Sequence, residues 1–237
     1  MTEISPNAPS PAPIALASSA AGAFAVQRLN MVDSQVRPSD ITDRRILRAM
    51  GTVPREDFLP AALKSIAYMD NPITLDRTSQ PRVLLEPRLF AKLVQLAEIP
   101  DGGRVLEIGC GTGYGLAVLS AMGCKAFGLD ENAAMCDLAR QSNATIAAHI
   151  KTGPLPDGLA VEGPYDAIIF AGSIPAVPQG LFDQLKNGAR LVAVTGTPPA
   201  SKATVWIRSG MRHAARDAFD ATAAPLPGFS QPAQFVF

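Results

Sequence analysis

Gly109, Gly111 and Gly113 alternate with other residues directly after the run Arg104–Ile108, and they open a helical pattern that continues through residue 122. Few folds accept this arrangement. A short run that is apolar except for one carboxylate, as in Val105-Leu106-Glu107-Ile108, suits a strand buried in a parallel sheet. Glycine carries no Cβ, so the turn can bend tightly and a ligand can touch its backbone. In an open α/β sheet ligands bind at the carboxyl ends of the strands, where such a turn lies.

The sequence downstream repeats the pattern. Lys125–Asp130 reads as a second strand, Ala133–Ser142 as a helix and residues 166–171 as a third strand. Residues 181–185 read as helix and 190–195 as strand, with 203–208 and 234–237 as further strands. Alternation of this kind predicts an α/β fold: a doubly wound, Rossmann-like, mostly parallel sheet with helices on both faces. It occupies residues 101–237, and an N-terminal helical extension precedes it over residues 23–100. In the extension, Asp40 reads as an N-cap ahead of Ile41, Ile46, Leu47 and Met50. A short helix is expected through Arg55–Phe58, and residues 70–84, which contain Pro72 and Pro81, read as a loop. Pro87 suits the first position of a helix with Leu89, Phe90, Leu93, Val94 and Ala97 on one face. Residues 1–22, rich in Ala, Ser and Pro, read as a disordered tail.

Composition removes several function classes. Lys+Arg and Asp+Glu are equal at 21 each, which argues against broad electrostatic binding to nucleic acid. No apolar run is long enough for a bilayer. The N-terminus lacks the positive region of a signal peptide, since its first arginine is Arg28. The three cysteines, Cys110, Cys124 and Cys136, form no C-x-x-C pair and read as reduced thiols of a cytoplasmic protein. The two histidines, His149 and His213, have no metal-ligand spacing, so no metal site is expected.

Two kinds of cofactor compete for the glycine turn. A dinucleotide site needs G-x-G-x-x-G, yet the third glycine position is Tyr114 counted from Gly109 and Leu116 counted from Gly111. Glu107, two residues before the first glycine, is awkward beside a pyrophosphate and favourable beside the ammonium of S-adenosylmethionine. An acidic residue about 20 positions after the turn reaches the ribose hydroxyls in Rossmann-like sites, which points to Asp130, with Glu131 second. The alternative assigns the glycines to a plain tight turn and makes Asp130 a helix cap. The E-x-G-x-G-x-G pattern resembles motif I of the class I methyltransferases.

More specific stretches carry a narrower likeness. Residues 48–60 (RAMGTVPREDFLP), 67–73 (AYMDNPI), 102–120 around the glycine turn, and 164–196 (PYDAIIFAGSIPAVPQGLFDQLKNGARLVAVTG) resemble the protein-L-isoaspartate O-methyltransferase family. The resemblance covers residues 41 to about 197. It implies S-adenosylmethionine as cofactor and a protein or peptide with an isoaspartyl residue as partner, in the repair of damaged proteins. It also makes part of residues 23–100 a substrate loop. The family's T-I-S-Q-P segment gives its serine a catalytic or positioning role, and Thr78-Ser79-Gln80-Pro81 offers Ser79 for it. Ungapped registers place the family serine at Leu85 or Arg82 instead, so Ser79 requires a remodelled loop. The family's G-D-G is Gly153-Pro154-Leu155 here, with Asp157 nearby. Arg77, Arg82 and Arg88 cluster on the substrate side and could fork onto an acidic substrate. These departures leave two other readings open: a methyltransferase for a different carboxylate, and a non-catalytic S-adenosylmethionine-binding relative.

Overall fold

The computed structural model describes residues 20–76, 81–196 and 200–229. The chain enters through helix α1 (Ala20–Met31), which begins inside the segment assigned to the tail. The Ala-rich AAGAFA run favours helix, whereas the prolines of the tail all lie earlier, at positions 6–13. Helix α2 (Arg44–Thr52) is capped by Asp43, whose side chain accepts the Arg45 N–H. Asp40 is therefore not the cap. It sits in the left-handed region at φ 61°, a conformation aspartate tolerates better than most residues, while Asp43 has the extended backbone that a cap needs. A 3₁₀ turn covers Arg55–Phe58 as expected.

Residues 70–84 are not wholly loop. Two-residue strands β1 (Ile73–Thr74) and β2 (Val83–Leu84) pair antiparallel, with Ile73 opposite Leu84. The prolines stand outside the ladder, so they do not block it. Helix α3 (Pro87–Leu96) follows, with Pro87 at its start.

The sheet proper contains β3 (Arg104–Ile108), β4 (Lys125–Asp130), β5 (Ile150–Thr152), β6 (Tyr165–Ile174), β7 (Leu185–Thr195), β8 (Lys202–Ser209) and β9 (Arg212–Asp220). Helix α4 (Tyr114–Ala121) joins β3 to β4, α5 (Ala133–Ser142) follows β4, and α6 (Gln179–Asp183) precedes β7. The order across the sheet is β5-β4-β3-β6-β7-β8-β9. The first five strands in this order are parallel, and β8 and β9 are antiparallel. Leu185, expected in the helix, instead starts β7. β9 was not foreseen, because Arg212 to Arg216 are all exposed on a sheet edge and show no apolar alternation. Charge on an edge strand discourages pairing with other chains. The strand expected at 234–237 and the tail at 1–19 lie outside the described residues.

Alternation along β3 sorts its side chains between two cores. Val105 joins the core beneath α2, α3 and α4. Leu106 and Ile108 join the opposite core, which α6 and the chain around Leu226 and Phe229 cover. Each such aliphatic side chain contributes about 1.5–3 kcal/mol on burial, so a one-residue slip of β3 is strongly disfavoured. Register therefore aims Glu107 at the helical face. The order reverses beside β3, where β4 lies on one side and β6 on the other. That switch point lies where the glycine turn leaves the sheet.

Candidate active site

Strands β3 and β4 end together, with Ile108 paired to Leu129. The turn is pinned there, since the Gly109 and Cys110 N–H groups both donate to the Leu129 carbonyl, at 2.8 and 3.2 Å. Thr112 Oγ1 donates to the Phe58 carbonyl at 2.7 Å and ties the turn to the early segment.

Glu107 is 2% exposed. It can lie under α4 only because position 115 is glycine: a Cβ there would stand 2.0 Å from Glu107 Oε1. Its Oε2 has no hydrogen-bond partner among the described residues. Burial, with the negative charge of Asp130 adding to it, pushes the Glu107 carboxyl up to about 8, while the Leu116 backbone N–H pulls the other way. A carboxylate in this state gains strongly from a cation or a donor brought to it.

Asp130 is fully buried and differently placed. Its Oδ2 accepts the Gly111 N–H at 2.9 Å. Its Oδ1 accepts the Asn132 N–H at 2.9 Å and both Nε and Nη2 of Arg82 at 3.0 Å. Arg82 is itself 4% exposed. It stands just before β2, and its carbonyl accepts the Leu75 N–H at 2.8 Å. Leu75 lies over Gly111, 3.4 Å from where a Cβ would be. From the other side Leu226 covers Gly109, held by its own N–H to the Ser173 carbonyl at 2.8 Å. The cavity left over the turn is about 20 Å³, lined by Glu107, Gly109, Gly111, Leu75, Arg55 and Ala171 among others.

Glu107, Gly109 and Gly111 thus line one cleft, and Asp130 stands behind it, bonded to the Gly111 N–H. Gly113 does not line it. A Cβ on Gly113 would meet Asn143 Nδ2 at 2.6 Å, so this glycine serves the packing of α5 against the turn. Glu131 is exposed, with its carboxylate toward Gly228. Leu155 is buried in the core and Asp157 is exposed. Arg88 pairs with Asp70 at 3.4 Å. Ser79 and Arg77 lie outside the described residues.

Leu75 and Arg55 of the cavity lining, and Leu226 over Gly109, are not singled out by the sequence. Leu75 and Leu226 carried no chemical signal. Arg55 is fully buried, donates to the Ala67 and Leu85 carbonyls at 2.8 and 2.6 Å, and lies 4.7 Å from the Tyr114 ring centre. Burial lowers its pKa. Within Val53-Pro54-Arg55-Glu56-Asp57-Phe58 nothing sets this arginine apart from its charged neighbours.

Residues 27–209 match the family profile described as protein-L-isoaspartate(D-aspartate) O-methyltransferase. A protein-L-isoaspartate O-methyltransferase of Koribacter versatilis (strain Ellin345) is 35% identical over 178 residues, covering 74% of this chain and 79% of the relative. One of Methylorubrum extorquens (strain PA1) is 33% identical over 202 residues, covering 84% and 87%. Among solved structures, a protein-L-isoaspartate O-methyltransferase superposes with TM-score 0.75 at 21% identity, over 86% of this chain and 67% of the other. A Plasmodium falciparum structure, described as a beta-aspartate methyltransferase with S-adenosyl-L-homocysteine, gives 0.69 at 16% identity over 85% and 98%. At these identities the structural likeness speaks for the fold.

Proposed function

The chain belongs to the protein-L-isoaspartate(D-aspartate) O-methyltransferase family, and on that premise we propose that Glu107 and Asp130 hold the two ends of S-adenosylmethionine while the free carboxylate of an isoaspartyl residue is methylated. The single observation that carries this assignment is Glu107, buried at the end of β3 beside the glycine turn with one oxygen unpartnered. Its raised pKa favours a donor such as an ammonium group. Gly109 and Gly111 carry no Cβ that would bar a ligand from the backbone once Leu226 and Leu75 move aside, and Asp130 is the acceptor for ribose hydroxyls. The donor set therefore suits this cofactor. Bound there, S-adenosylmethionine supplies a methyl group on a positively charged sulfur.

The chain's own task is placement. The acceptor carboxylate is ionised at neutral pH and needs no general base. Holding acceptor and methyl in line is a proximity and orientation problem. Ser79, on the family resemblance, positions the acceptor. The three cysteines, unpaired and buried, support a reducing compartment such as the cytoplasm.

The test is methyl transfer from labelled S-adenosylmethionine to an isoaspartyl peptide, with the matching aspartyl peptide as control. Transfer to the isoaspartyl peptide alone is expected, with large losses in Glu107→Gln and Ser79→Ala. A Glu107→Gln protein as active as wild type would remove Glu107 from the site. No transfer by folded wild-type protein would remove the repair activity.

A further inference from the structure

One oxygen of the Asp130 carboxylate, Oδ1, which the proposed reading gives to the cofactor's ribose, is already saturated by this chain. Oδ1 takes three N–H donors and Oδ2 takes one. A carboxylate oxygen offers about two lone-pair directions, so Oδ1 has no room for a hydroxyl while Arg82 is present. Two of the four donors cannot leave. The Gly111 N–H belongs to the turn, and the Asn132 N–H belongs to the residue whose side chain caps α5. Only the Arg82 guanidinium is on a movable side chain. Its Nη1 finds no acceptor among the described residues although Arg82 is 4% exposed. Leu75, bonded through its N–H to the Arg82 carbonyl, closes the turn from the same unit. Sites for ligands of this size are roughly 300 Å³ or more, against about 20 Å³ here.

We propose that Arg82 is a cofactor-affinity determinant that acts by competition: its guanidinium occupies Oδ1 of the ribose acceptor, and cofactor engages that oxygen by displacing Arg82 from Asp130. The inference rests on the methyltransferase reading above. Removing Arg82 therefore tightens cofactor binding, the opposite of what a residue contacting the cofactor would do.

The experiment is calorimetric titration of the full chain with S-adenosylhomocysteine, comparing wild type, Arg82→Met and Arg82→Lys. Arg82→Met is expected to bind tenfold or more tighter than wild type. Arg82→Lys should lie between, because an ammonium cannot reproduce the two-pronged contact. Equal or weaker binding in Arg82→Met overturns the proposal. A second measurement uses wild type alone, in case the variants fold poorly. The Arg82 Nε–H signal, protected on Asp130, should begin to exchange with water when S-adenosylhomocysteine is added. Protection retained in the complex overturns the proposal. Absence of binding by every folded form would sink the methyltransferase reading, and the competition with it.

Discussion

Glu107 and Asp130 stand at the ends of neighbouring parallel strands, on opposite sides of one glycine turn, and both are buried. Their circumstances are nevertheless opposite. Glu107 keeps an oxygen without a partner among the described residues and has a carboxyl pushed up to about 8. Asp130 accepts four hydrogen bonds, two of them from a buried guanidinium. Burial of a charge is costly unless it is paired, and the chain meets that cost with a guanidinium at one end and with a retained proton at the other. The unpaired end is prepared for a ligand at the expense of stability. The paired end is stable and must give up a contact to receive one.

The largest effect should come from breaking the paired end. Asp130→Ala strands a buried guanidinium, and removing one partner of a buried pair costs about 3–5 kcal/mol. Urea denaturation should show a loss of this size. A change below about 1 kcal/mol would mean that Arg82 relaxes into solvent and that the two ends differ less than the geometry implies.

Glu107→Gln should behave in the opposite sense. The folded-state carboxyl is raised from 4.5 to about 8. Between those values the folded protein keeps a proton that the unfolded chain releases, so wild-type stability falls as pH rises from about 4.5 to about 8 and levels off above. The variant lacks this titration. Relative to Glu107→Gln, wild type should lose on the order of a few kcal/mol across that window. Denaturation at pH 5, 6.5 and 8 measures it, and parallel profiles for the two proteins would show that Glu107 is solvated or paired after all.

The smallest effect sharpens the comparison. The Asn132 side chain caps α5 through the Met135 N–H at 3.2 Å, while its own backbone N–H serves Asp130. Asn132→Ala should cost about 1 kcal/mol of stability and leave S-adenosylhomocysteine affinity nearly unchanged, because the backbone donor remains. A large fall in affinity would mean that the carboxylate's position depends on the cap.

How much could be read in advance follows from which interactions are local. Strands β3 and β4 and helix α5 matched their expected bounds, because their signals lie within each segment: an apolar run, a turn, a cap. Strand β9 and the β1–β2 pair did not announce themselves, since each is defined by its partner strand. Within the cleft, Glu107, Gly109 and Gly111 were legible from spacing beside the turn. Gly113 looked like its neighbours and turned out to face Asn143, more distant in sequence.

The sequence alone therefore determined the parallel α/β core, the position of the glycine turn and the family. Periodicity, turn chemistry and motif spacing are properties of short contiguous stretches. Only the tertiary structure decided that one carboxylate would be left unpartnered and the other closed by Arg82, 48 residues away along the chain. The desolvation of a charge, and the partner that offsets it, depend on which distant segments are brought to its side.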